Sequence, residues 1–151
     1  MEQAFAFVAA RVEGWPSLTP RQGFPDEVVT GSLTTQVVPG TPLRTESRWD
    51  GPLAGTSHFT LISLEDTRSP GASISRFQGD LVLSTPRGDL IGQDDGIWDL
   101  DTGNYVDVYR VTSGTGDHVG ATAVIVLTGT LDPKTGTGVS QYHGVVTRNP
   151  G

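Results

Sequence analysis

The chain has 151 residues, enough for one domain with its own core, and it contains no cysteine, which excludes thiol nucleophiles, cysteine-ligated zinc and disulfides together. Lys+Arg 10 against Asp+Glu 17 leave a net charge of −7, spread along the chain, and no basic stripe with interleaved aromatics is present. Nucleic acid and anionic membrane surfaces are therefore not expected partners, because both repel such a chain.

Residues 1 to 32 read as an irregular arm. Ala4 to Val12 is Ala-rich, with Phe5 and Phe7 alternating, and then Gly14-Trp15-Pro16, Thr19-Pro20 and Phe24-Pro25 break regular pairing. Trp15 and Phe24 suit an arm that packs on the rest of the molecule, over one of its mouths. The start has no basic stretch followed by an apolar run, and no segment has the length a bilayer needs, so the expected compartment is the cytoplasm.

From Leu33 to the end the texture changes to short runs of Val, Ile, Thr and aromatics punctuated by Gly, Pro and Asp, and residues 33–151 read as one β domain. Strands are expected near 33–38, 43–50, 55–64, 74–84, 88–99, 104–112, 119–131 and 137–147. The connections carry turn chemistry: Ser69-Pro70-Gly71, Thr85-Pro86-Arg87-Gly88, Asp101-Thr102-Gly103-Asn104 and Asp132-Pro133-Lys134-Thr135-Gly136. Consecutive strands joined by tight hairpins make an antiparallel up-and-down meander, and about eight of them close into a β-barrel that leaves no sticky edge. The predicted fold is all-β, an eight-stranded antiparallel barrel with an irregular N-terminal arm.

Alternation splits each strand into two faces. Arg44, Glu46 and Arg48 oppose Leu43, Thr45, Ser47 and Trp49. Arg76, Gln78, Asp80 and Val82 oppose Phe77, Leu81 and Leu83. Tyr105, Asp107 and Tyr109 oppose Val106, Val108 and Arg110. Val139, Gln141, His143 and Val145 oppose Ser140, Tyr142, Gly144 and Val146. One assignment puts the apolar faces inward and the polar ones in water. The other points part of the polar set inward to line a pocket, since an eight-stranded barrel can hold one small ligand. On that assignment Tyr105, Asp107, Tyr109, His143 and Glu46 are the candidate catalytic groups. Trp49, Trp98, Gln141 and Arg48 are the candidate substrate contacts.

Other motifs resolve into turns. Asp101-Thr102-Gly103 matches an aspartic-protease triplet but sits in a hairpin and has no second half. The same loop lacks a calcium carboxylate, because Arg110 stands where the twelfth position needs one. Ser113 to Gly120 is Gly-rich, but a β-branched run follows it where a phosphate cradle needs a helix. His58, His118 and His143 are not spaced as metal ligands, and no metal or other cofactor is expected.

Three segments resemble those of the allene oxide cyclase/dirigent-like β-barrel family and its bacterial members. They are Gly51-Pro52-Leu53-Ala54-Gly55-Thr56-Ser57, Gly88-Asp89-Leu90-Ile91-Gly92-Gln93 and Gly114-Thr115-Gly116-Asp117-His118-Val119-Gly120-Ala121, with His118 where the family has an aromatic. The order and spacing fit over roughly residues 33–147. The resemblance implies a barrel with a central cavity for a hydrophobic, often unsaturated small molecule. It further implies a cofactor-free cyclase or isomerase of natural-product biosynthesis, and assembly as a homo-dimer or homo-trimer. It transfers no catalytic residue. A non-catalytic binding or carrier barrel has the same sequence features, and so does a filled barrel that acts through its outer surface.

Overall fold

A computed structural model describes residues 26–66 and 73–148. Eight antiparallel strands run in chain order around a closed barrel. They are β1 (Asp26–Val38), β2 (Arg44–Trp49), β3 (Gly55–Asp66), β4 (Ile74–Thr85), β5 (Gly88–Asp99), β6 (Asn104–Gly114), β7 (Thr122–Leu131) and β8 (Thr137–Thr147). Single 3-10 turns, Gly51–Leu53 and Gly116–His118, precede β3 and β7. Closure comes from β1 pairing with β8, from Asp26↔Thr147 to Gln36↔Thr137. The arm with Trp15 and Phe24, and the Ser69-Pro70-Gly71 turn, lie outside the described residues.

The barrel begins earlier than the sequence reading places it. Residues 26–32 are the first half of β1 and not the end of an arm. Gly31 hides the strand signal, and its role is packing. A Cβ there would lie 2.6 Å from the Tyr142 hydroxyl oxygen, so the missing side chain makes room for a ring reaching across from β8. Asp26 and Glu27 also look like loop residues. They are held to the far end of β8, Thr147 donating to the Asp26 carboxylate at 2.7 Å and Arg148 pairing with Glu27 at 2.9 Å. β7 in turn starts at Thr122 and not at 119, because the Gly116–His118 turn takes up the preceding stretch.

The inward phase of every strand is set by its largest apolar residues. Val29 and Leu33 of β1, Trp49 of β2, Phe59 of β3, Phe77, Leu81 and Leu83 of β4, and Leu90 and Trp98 of β5 are all buried. So are Tyr109 and Val111 of β6, Ile125 and Leu127 of β7, and Tyr142 and Val146 of β8. Each such side chain contributes on the order of 1.5–3 kcal/mol when fully buried.

The end of the barrel beside the two 3-10 turns is filled. Tyr142 packs on Trp49 with ring centroids 4.8 Å apart. Its hydroxyl donates to the Asp50 carbonyl at 2.5 Å and accepts the Leu53 N–H at 3.2 Å. The Tyr109 hydroxyl donates to the Leu90 carbonyl at 2.5 Å, with the Leu81 carbonyl at 3.2 Å. His118 sits beneath them, Nε2 3.2 Å from Thr85 Oγ1, and burial together with the charges of Arg148 and Arg87 holds its pKa down. The opposite end, where β1, β3, β5 and β7 finish, is not filled in this way, and that asymmetry positions the site.

Candidate functional site

A pocket enters the barrel from the unfilled end. Leu43, Leu61, Leu64 and Leu131 stand at its mouth, and Trp49, Phe59, Phe77, Trp98 and Tyr105 form its walls deeper in. A bulge in β3 between Leu61 and Ser63 resets the alternation, so that Leu64 turns inward toward Phe77. The indole N–H groups are satisfied by the wall itself, Trp49 donating to Ser57 Oγ at 2.8 Å and Trp98 to the Leu131 carbonyl at 3.0 Å. Thr35 and Ser47 hydroxyls bond each other at 2.8 Å. These pairings leave the walls apolar toward the space they enclose. The cavity is about 70 Å³. One water needs ~10–15 Å³ on the same measure, so it holds a few atoms of a ligand without rearrangement, and the rest of a larger ligand lies toward the mouth.

Two carboxyl groups interrupt this apolar lining. Asp94 of β5 and Asp107 of β6 point into the pocket, each 4% exposed. In the β5–β6 register Asp94 lies opposite Tyr109, and Asp107 lies opposite Gly96. The two aspartates are thus diagonal neighbours on one face, close enough to hydrogen-bond. Gly96 makes the placement possible, since a Cβ there would come within 2.5 Å of the Asp107 Cβ. One oxygen of each carboxyl, Oδ1 in both, is buried without a hydrogen-bond partner.

Burial raises the pKa of both. It pushes Asp94 up to about 7 against the lowering effect of the hydrogen bond with Asp107. Asp107 is pushed well above the usual carboxylate range by burial first, then by the charge of Asp94 and the bond they share. Near neutral pH the pair therefore holds at least one proton, with Asp107 the more strongly protonated member. Tyr105 stands beside it, its hydroxyl paired with Ser140 Oγ. Burial, then the nearby Asp107 charge, keeps that phenol protonated.

The sequence-predicted residues divide accordingly. Tyr105, Asp107, Trp49 and Trp98 meet in the pocket. Tyr109 is inward but lies beyond the pocket, its hydroxyl committed to backbone carbonyls at the filled end. Glu46, Arg48, Gln141 and His143 do not join them. All four are exposed on the outer wall, because Thr45, Ser47 and Trp49 of β2 and Ser140 and Tyr142 of β8 take the inward positions between them. Glu46 instead lies 3.9 Å from His58 on that outer surface. Asp94 was not among the predicted residues, although β5 carries its signal: Leu90 and Trp98 share its face at even spacing.

Among the described residues no group of three His, Asp or Glu side chains is placed to hold a metal ion. None of their helices is long and apolar enough to cross a membrane. No protein-family model matches the chain, and no curated protein matches it.

Proposed function

We propose that this barrel is a cofactor-free cyclase or isomerase that takes an apolar small molecule into the pocket and directs its rearrangement with the Asp94–Asp107 pair. The observation that carries the reading is a pair of neighbouring carboxyl groups buried against an otherwise apolar, one-ended pocket. Burying such groups without full pairing costs stability, and pKa values displaced by burial and by a neighbouring acid recur at catalytic sites. The walls hold a flexible ligand in a reactive shape, so that much of the rate comes from orientation. The protonated Asp107 donates to a ligand oxygen as charge develops on it. The ionised Asp94 accepts a proton from the ligand skeleton, and transfer between the two carboxyls restores the starting state. The reaction is then an isomerisation with no net gain or loss of atoms.

The resemblance to allene oxide cyclase/dirigent-like barrels agrees with this reading. Its three Gly-rich segments fall at the filled end, in the 3-10 turns and the β4–β5 hairpin, so they bear on how the barrel is closed and not on the chemistry. The test is incubation with a panel of unsaturated apolar compounds, following binding by quenching of Trp49 and Trp98 and products by chromatography with mass detection. A product of unchanged mass and altered retention is expected. Asp107→Asn is expected to keep binding and to lose conversion by about 10²-fold or more. Bound compounds returned unchanged by the wild-type chain would instead establish a carrier.

A further inference from the structure

The pocket has an acidic pair and, among the described residues, no cationic side chain to neutralise it. Among the described residues its lining contains no Lys, Arg or His, and the titratable groups that face the pair are Tyr105 and Tyr109 from β6, both neutral phenols. The other strands present only apolar and hydroxyl side chains to it. Yet Oδ1 of Asp94 and Oδ1 of Asp107 are both buried without a donor. A buried carboxylate oxygen with no donor is costly, and the group that satisfies it best is a charged N–H. Around the pair stand aromatic rings from five strands: Trp49, Phe59, Phe77, Trp98 and Tyr105. Ring faces attract a desolvated cation, and they stack on an aromatic or unsaturated body.

We propose that the pocket selects a ligand with a protonated amine attached to a small apolar or aromatic body, the ammonium pairing with the Asp94–Asp107 carboxyl pair while the body packs among the rings. The inference rests on the pocket being a small-molecule site and deepens it by naming the ligand class. Anionic ligands are disfavoured by the same chemistry, since the pair repels them and no described residue of the lining is a cation to receive them. Neutral ligands that only accept hydrogen bonds use the proton of the pair but leave its negative charge without a partner.

The two readings separate by pH. An ammonium favours ionised carboxyls, so its affinity rises as pH increases through about 7, where Asp94 loses its proton. A neutral acceptor favours the protonated pair, and its affinity falls over the same range. The experiment compares three probes of one size, benzylamine, benzyl alcohol and benzoate, by calorimetry on the full chain at pH 5.5 and pH 8. Benzylamine is expected to bind at least about tenfold more tightly than benzyl alcohol at pH 8. It is also expected to bind more tightly at pH 8 than at pH 5.5, while benzoate is the weakest. In Asp94→Asn/Asp107→Asn the preference for benzylamine over benzyl alcohol should vanish, with benzyl alcohol binding retained as the sign of an intact pocket. Benzyl alcohol binding as well as benzylamine at pH 8 overturns the amine assignment and leaves the small-molecule pocket standing. Failure of all three to bind overturns both.

Discussion

Asp94 and Asp107 set the pH behaviour of the fold. Their folded pKa values lie above the ordinary carboxylate value, so the folded state binds more protons than the unfolded state between the two. Their contribution is complete below about pH 4 and is lost as pH rises through the folded values. For Asp94 that window runs from 3.8 to about 7, and the loss is roughly 4 kcal/mol. Asp107 extends it to higher pH. Two carboxylates outside the pocket act in the opposite sense. Asp50 and Asp99, held down by hydrogen bonds from Ser32 and Ser73, favour the fold above the ordinary value and cease to do so below it. Urea denaturation should therefore find greatest stability in mildly acid solution and a decline from pH 5 to pH 8. Asp94→Asn/Asp107→Asn should flatten that decline. A wild-type stability that climbs steadily over the same range would contradict the buried pair. At this scale Asp107 was legible, since alternation placed it between two tyrosines. Glu46 and His143 are equally polar and equally mid-strand, and only the register of the neighbouring strands turns them outward.

Among the elements, β1 carries the closure. Its first half pairs with β8 alone, and the Gly51–Leu53 turn covers its other side. Two contacts pin that turn: the Asp50 carboxylate accepts from the Ser32 N–H at 2.7 Å and from its hydroxyl at 2.6 Å, and the Tyr142 hydroxyl bonds Asp50 and Leu53. Gly31→Ala drives a methyl into the Tyr142 ring, so the ring must leave Trp49 or β1 must part from β8. The cost should be about 2–3 kcal/mol, read as a lower denaturation midpoint with faster amide exchange along β1 and β8. Unchanged stability would mean that the seam tolerates displacement. The sequence obscured this element for a physical reason. A glycine inside a strand looks like a break until the ring that fills its place is known. That ring comes from a residue more than a hundred positions away. The hairpins, by contrast, are local. Asp132 accepts the Lys134 N–H at 2.8 Å and the Gly136 N–H reaches the Asp132 carbonyl at 2.8 Å, as the turn residues alone predict.

Across the whole molecule, eight strands in simple succession yield a barrel with one end filled by Tyr109, Tyr142, Leu53 and His118 and the other open to a pocket. The number of strands and the up-and-down order follow from turn chemistry and hydrophobic runs, and so were legible. Which faces point inward depends on pairings around the closed circuit, and so was legible only where large apolar residues fixed the phase. The central claim is that two neighbouring carboxyl groups hold a proton inside that pocket near neutral pH. Carbon-13 NMR titration of the aspartate side chains measures it most directly. Two carboxyl resonances are expected with apparent midpoints far from the ordinary aspartate value, one near 7 and the other higher, both moving to ordinary behaviour on unfolding. If every aspartate of the folded chain titrates near 4, the pair is solvated and the pocket described here is not the site.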